Sequence, residues 1–329
     1  MIITKTPFRV SFFGGGTDYP SWFQSHGGGF LSMAINKYCY LSIRKLPPFF
    51  EHRHRLVYSI VENVRNVSEF KHPTVREVLR WKGAPEGLEI HHDGDLPARS
   101  GLGSSSSFTV GLLNGLEGLR GNMSSKESLA NSAIYVESTL LGETVGIQDQ
   151  IAAAYGGLNS VEIDTSGNYR VFPLVLSNEI MKAFEAHLML CFTGISRFAS
   201  KVAQEKVKSF AENADALHQM RDMVGVGCNY LNQGNLNEFA ILLDQSWMLK
   251  RSLSGSVTNQ EIDDIYNVAK KNGALGGKLL GAGGGGFFTL IVPPEKQEQV
   301  KIALSGLVFV HPKIDWVGSQ VAFYQPEGI

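Results

Sequence analysis

The chain has 329 residues, 43% of them hydrophobic, with 30 Lys plus Arg against 31 Asp plus Glu. That length and apolar share support a soluble globular protein with a sizeable core and room for two domains. The balanced charge gives no basic field for nucleic acid or an anionic membrane, so the expected partner is a small molecule.

The opening MIITKTPFRVSFF lacks the apolar core and cleavage site of a signal peptide, and no apolar run reaches membrane-spanning length. The expected compartment is therefore the cytoplasm. Cys39, Cys191 and Cys228 are widely spaced, form no CxxC pair and read as reduced structural thiols.

In chain order, β-branched and aromatic runs punctuated by Gly and Pro predict strands over 2–13, 29–46, 55–60 and 87–92. Helical spacing of Phe108, Leu112, Leu113 and Leu116 predicts a helix over 108–119. A second helix is predicted over 125–141, with Glu127 as a first-turn acid. A short helix over 147–155 ends at Gly156-Gly157, and a strand pair follows over 158–163 and 169–174. Beyond Asn178 the pattern turns mostly helical, with helices over 198–210, 217–231, 236–248 and 262–271, a strand over 188–193, and a final strand group from Lys278. A domain boundary is expected at 176, giving domains 1–176 and 177–329. No internal repeat is present.

Three loops of small residues interrupt these elements: Gly14-Gly15-Gly16-Thr17-Asp18, PARSGLGSSSS (97–107), and Gly281-Ala282-Gly283-Gly284-Gly285-Gly286. Glycine runs cost conformational entropy on folding, and close approach of backbone to a ligand is one compensation. The middle loop lies between a predicted strand and a predicted helix. The N–H groups of Ser104 to Ser107 and the helix dipole can there cradle polyphosphate, or the serines can simply cap the helix. It does not match GxxxxGK[ST], which excludes a P-loop. The third loop satisfies GxGxxG but leads into the strand-like run FFTLIV where a dinucleotide site needs a helix, so its backbone abuts either a ligand or another chain segment. Among the acids, Glu137 and Asp149 stand twelve residues apart with Gly142 and Gly146 between, a spacing that can fold both into one pocket. Asp149 at a helix entry also reads as an ordinary first-turn acid.

Taken in order, Thr6-Pro7-Phe8-Arg9 with Gly14 to Asp18, then Pro97 to Ser107, then Lys278 to Phe287 resemble the three signature motifs of the GHMP kinases (galacto-, homoserine, mevalonate and phosphomevalonate kinases). The resemblance covers nearly the whole chain and implies an α+β, two-domain fold: a ribosomal protein S5 domain 2-like N-terminal domain and a ferredoxin-like C-terminal domain, with the site between them. It implies ATP and Mg²⁺, with Pro97, Ser100, Gly101, Leu102, Gly103, Ser104, Ser105, Ser106 and Ser107 holding ATP, and Ser105 and Glu137 holding the metal. Asp149 takes the place of the general base. Arg9 stands where many members have Lys, which suits an electrostatic role better than proton exchange. Gly15, Gly16, Thr17, Asp18, Arg197, Gly283 and Gly284 are the implied substrate contacts, with Lys201, Lys250 and Arg251 as further cations for a substrate phosphate.

The motif FFGGGTDYP, with FTGISR and KLLGAG, resembles the sugar 1-kinase branch of that family. The implied reaction is ATP-dependent phosphorylation of an anomeric hydroxyl, with D-glycero-D-manno-heptose 7-phosphate as the implied substrate in nucleotide-activated heptose synthesis. A fucokinase- or galactokinase-like activity is the alternative. A non-catalytic relative of the fold would lack Asp149, Glu137 or the serine loop, all of which are present. Apolar residues around 56–61 are the expected adenine wall.

Overall fold

In the computed structural model, which describes residues 1–83, 85, 87–195 and 199–325 apart from the side chains of 199–202 and 206, β1 (Ile2–Phe13) is buried along most of its length. It pairs antiparallel with β2 (Gly28–Lys45) on one side and with β12 (Gln320–Tyr324) on the other. The length of β2 lets it take two further partners end to end. Gly28 to Met33 pair with β6 (Leu158–Ile163), and Cys39 to Lys45 pair with β5 (Leu88–Gly94). β3 (His54–Val57) joins β5 in parallel, β4 (Val61–Val64) continues from β3, and β7 (Tyr169–Pro173) pairs with β6. The sheet order is β12-β1-β2-β5-β3-β4, with β6 and β7 branching from β2.

A second, wholly antiparallel sheet has the order β11-β8-β10-β9, from β8 (Leu188–Phe192), β9 (Gly276–Leu279), β10 (Phe287–Ile291) and β11 (Val308–Val310). Numbered within this sheet, that order is 4-1-3-2, the ferredoxin-like arrangement. The helices are α1 (Pro20–His26), α2 (Pro73–Lys82), α3 (Ser104–Leu119), α4 (Lys126–Tyr135), α5 (Gln148–Tyr155), α6 (Asn178–His187), α7 (Ala199–Lys208), α8 (Ala214–Asn232), α9 (Leu236–Ser252), α10 (Gln260–Lys271) and α11 (Gln297–Ala303). A π-helical turn, Val136–Leu140, continues α4. α3 packs on β1 and β2, α4 and α5 pack on α3, and α8 and α9 cover the Phe13 end of β1.

The two halves share one core where β1 ends. A register shift between Ser11 and Phe13 interrupts strict alternation, so the consecutive rings of Phe12 and Phe13 both face Phe239 of α9, with centroids 5.5 and 5.2 Å away. Phe184 of α6 closes the cluster at 5.6 Å from Phe12 and 5.5 Å from Phe239. A separate core of Trp247, Tyr266 and Phe288 joins α9 and α10 to the second sheet.

Sheet membership changes at 174–187, close to the expected boundary. It changes back near the end, because β12 returns to β1 in register Ile2↔Tyr324 to Lys5↔Gln320 and Ile35 bridges Ile314. The expectation that 177–329 forms one domain is thus corrected for its last segment, whose pairing across the whole chain no local pattern encodes. The helices α1 and α2 and the strand β4 were also not expected. Cys39 and Cys191 are buried, and none of the three cysteines forms a disulfide.

Phe239 touches rings from both halves at 0% exposure. Phe239→Ala is therefore expected to lower unfolding stability by about 3–5 kcal/mol, read as a lower urea midpoint in circular dichroism.

Candidate active site

α3 starts at Ser104 after Gly103, which adopts the left-handed conformation (φ 74°) and provides no side-chain cap. A Cβ at Gly103 would stand 3.3 Å from Arg9 Cγ and 3.3 Å from Asp149 Oδ2, so the loop passes directly over that ion pair. The first-turn N–H groups of Ser104 to Ser106 have no helical carbonyl to meet, which leaves them for an anion at the positive end of a long helix. Ser107 is corrected out of the expected cradle. Its N–H donates to Gly103 O at 2.9 Å, and its hydroxyl donates to Pro7 O at 2.8 Å from a side chain that is 1% exposed.

Beneath the loop, Arg9 is 5% exposed and forms a two-pronged pair with Asp149, Nε to Oδ1 at 2.7 Å and Nη2 to Oδ2 at 2.9 Å. Its Nη1 donates to Gly101 O at 2.6 Å, and its main-chain N–H donates to Leu102 O at 3.0 Å. Asp149 lies in the first turn of α5, which has no side-chain cap, and its carboxylate faces Arg9.

Glu137, in the π turn, is 1% exposed. Ser106 Oγ donates to its Oε2 at 2.9 Å, and Gln150 Nε2 donates to the same oxygen at 2.5 Å. Oε1 has no hydrogen-bond partner while the Thr109 hydroxyl donates to Ser105 O at 3.1 Å, although the same hydroxyl lies near enough to Glu137 to turn towards it instead. Burial raises the Glu137 carboxyl from about 4.5 to about 7, against the opposing hydrogen bonds. Ser105, expected beside Glu137, is exposed, and Ser106 stands there instead. The helix begins at Ser104, and one residue of rotation turns Ser106 rather than Ser105 inward.

The first glycine loop divides into different roles. Asp18 is 5% exposed and accepts from Gly16 N at 2.9 Å and Gln148 N at 3.4 Å, while its carbonyl accepts from Ile147 N at 3.0 Å. It thereby clasps the segment that carries Asp149. Gly15 is partly exposed, whereas Gly16 is buried against Leu217. Thr17 is corrected as a substrate contact. It is 0% exposed, and its hydroxyl lies 2.8 Å from Gly14 O and 2.9 Å from Gly29 O, pinning the loop to β2.

The third loop meets chain, not open space. A Cβ at Gly281 would lie 2.6 Å from Gly101 Cα, and Phe287 N donates to Ser100 O at 3.1 Å. Gly283 and Gly284 are buried, with Gly284 N donating to Val257 O at 2.8 Å, so the reading of both as substrate contacts is corrected. Lys250 Nζ donates to the carbonyls of Leu279 at 2.7 Å and Gly281 at 2.6 Å, and Arg251 pairs with Asp263 at 2.6 Å. Both cations hold the second half together. Arg197 and the Lys201 side chain lie outside the described residues. Of the expected adenine wall, Leu56 is wholly buried in the core, while Ile60 and Val61 are about half exposed.

The GHMP kinases N terminal domain family matches residues 56–157, and the GHMP kinases C terminal family matches residues 229–307. The chain is 30% identical over 293 residues, 86% of each chain, to D-glycero-alpha-D-manno-heptose 7-phosphate kinase of Campylobacter jejuni. The chain belongs to the GHMP kinases.

Its fold matches those of a D-glycero-D-manno-heptose 1-phosphate kinase from Bacteroides thetaiotaomicron (TM-score 0.81, 24% identity, 99% of this chain and 100% of the other) and of Lactococcus lactis galactokinase complexed with galactose (TM-score 0.77, 19% identity, 97% and 95%). The protein is thus a phosphotransferase of the GHMP kinase family, whose members use ATP as phosphate donor. No helix among the described residues is long and apolar enough to cross a membrane.

For a divalent cation, this GHMP kinase offers the unpartnered Oε1 of a buried carboxylate beside a serine hydroxyl. Among the described residues no cluster of three or more His, Cys, Asp or Glu could hold a metal alone. One carboxylate, a hydroxyl and open positions for phosphate oxygens and water suit Mg²⁺, a hard ion that favours such shared sites.

The folded protein keeps a proton on Glu137 between about pH 4.5 and 7 that the unfolded chain has released, so without metal its stability falls as pH rises through that window. Across it, metal-free wild type is expected to lose about 3 kcal/mol relative to Glu137→Gln, measured by urea unfolding at successive pH values.

Proposed function

We propose that this GHMP kinase transfers the γ-phosphoryl group of ATP to the anomeric hydroxyl of a sugar phosphate, D-glycero-D-manno-heptose 7-phosphate, giving the 1,7-bisphosphate. The observation that carries the reading is the Arg9–Asp149 pair directly under the 97–107 loop, so close that a Cβ at Gly103 would stand 3.3 Å from both side chains. The substrate is supported by the heptose 7-phosphate kinase relative.

In this reading Ser104, Ser105 and Ser106, with Ser100, Gly101, Leu102 and Gly103, receive the phosphates through backbone N–H groups and the α3 dipole, and Pro97 shapes the entry to the loop. Asp18 and Gly15 face the sugar, with Asp18 accepting hydrogen bonds from its hydroxyls. Asp149 accepts the anomeric proton as the new O–P bond forms and the bond to ADP breaks. Each carboxylate oxygen takes one bond from Arg9 and retains a further lone pair for that proton. Arg9 stays cationic throughout and stabilises the developing alkoxide. Glu137 and Ser106 would hold Mg²⁺, which when bound supplies neutralisation of the charge spreading over the transferring group.

Asp149→Asn is expected to lower kcat by about 10²–10⁴-fold with little change in the KM for ATP. Wild-type turnover in a folded variant defeats the base assignment.

A second reading, an unphosphorylated aldose as acceptor, is favoured by the engagement of Lys250 and Arg251 inside the protein, which removes two cations from the list for a 7-phosphate. A relative 26% identical over 306 residues, the Arabidopsis thaliana bifunctional fucokinase/GDP-fucose pyrophosphorylase, also supports it. Arg197 is then the discriminating residue. With a panel of aldoses and aldose phosphates, ATP and Mg²⁺, and products identified by phosphorus NMR, the first reading expects heptose 7-phosphate to be consumed. It also expects Arg197→Ala to raise the KM for that substrate far more than for ATP. Preference for free aldoses, or equal effects on both KM values, selects the second.

A further inference from the structure

We propose that Gln150 is a positioning residue for the cation site: its amide fixes the Glu137 carboxylate so that Oε1 is the oxygen offered to a divalent cation. This rests on the reading of Glu137 as the cation ligand.

Gln150 is 0% exposed in the first turn of α5, one residue after Asp149. Successive helical residues point about 100° apart, so the same turn presents Asp149 to Arg9 and Gln150 to Glu137. Gln150 Nε2 and Ser106 Oγ both donate to Oε2 of Glu137, at 2.5 and 2.9 Å, and neither reaches Oε1. A carboxylate with both donors on one oxygen is held in a single orientation, and its other oxygen keeps its lone pairs. That remaining oxygen is buried without a partner, an arrangement that is costly unless something positive completes it.

The residue type fits this task and few others would. Lysine in place of Gln150 would neutralise Glu137 and compete with the cation, and glutamate would set a like charge beside it. A neutral amide donor orients the carboxylate and leaves its charge available. A merely structural role for Gln150 predicts no link to metal, whereas positioning predicts that its loss is felt through the metal alone.

The test measures affinity for a non-hydrolysable ATP analogue, with Mn²⁺ and with chelator, in wild type, Glu137→Gln, Gln150→Met and the double variant. Gln150 also lines a cavity of about 230 Å³ between α1, α4 and the β6–β7 turn, so the near-isosteric methionine has room to settle. The expected result is that Gln150→Met loses about 10–100-fold of the affinity gained from Mn²⁺, the range for residues that orient metal ligands, while metal-free affinity is unchanged. In the Glu137→Gln background the same substitution is expected to cost nothing more. Gln150→Asn, one methylene too short to reach Glu137, replaces the methionine variant if that fails to fold, with the same expected loss. An unchanged Mn²⁺ gain in the Gln150 variants, or equal losses with and without metal, overturns the positioning role and leaves the Glu137 reading intact. An unchanged gain in Glu137→Gln overturns both.

Discussion

Arg9 is the point at which three separate parts of the chain are tied. Its guanidinium joins β1 to the start of α5 through Asp149 and to the phosphate loop through the Gly101 carbonyl, while its main chain holds Leu102. A planar fork with five donors can meet these partners at once from a nearly buried position, and a lysine ammonium on a flexible stem cannot reproduce the two-pronged geometry. Pairing also makes the burial of Arg9 tolerable, since its charge alone at that depth would be strongly unfavourable, while Asp149 keeps part of its surface open. The same contacts fix the distance between Asp149 and the 97–107 loop.

A second constraint acts from the other half of the molecule. The Gly101–Gly281 crossing is backbone against backbone, with no volume for a side chain on either strand, and Phe287 is hydrogen-bonded to Ser100 beside it. Lys250 braces the third loop from behind through the Leu279 and Gly281 carbonyls. The 97–107 loop is thus supported by the second sheet as well as by β1, which gives the third glycine run a mechanical role.

What could be read in the residues followed how local the cause was. β1 and β2 were legible to within a residue because long β-branched and aromatic runs are a local signal, and the loops stood out through composition alone. α1 spans seven residues and offers only Trp22 and Phe23 as buried anchors, too little for a helical period. β12 was legible only through its partner, three hundred residues away in sequence. At the site, motif resemblance brought Asp149, Arg9 and Glu137 together, while the Ser105-to-Ser106 exchange depended on the residue at which α3 begins. Thr17 was misread because a hydroxyl beside glycines looks alike whether it meets a ligand or a carbonyl. Gln150 left one faint mark, a polar residue followed by the apolar run Ile151 to Ala154, and no rule of spacing tied it to Glu137.

The return of β12 to β1 ties the second sheet to the first at a second point along the chain. The second sheet is connected to the first by the crossing from β7 to β8 and again by the crossing from β11 to β12. A body held at two attachment points can rock about the line joining them, but it cannot swing away or twist freely as a bead on a single linker does. Two attachments therefore oppose separation of the halves, alongside the Gly101–Gly281 contact and the core shared by Phe12, Phe13 and Phe239.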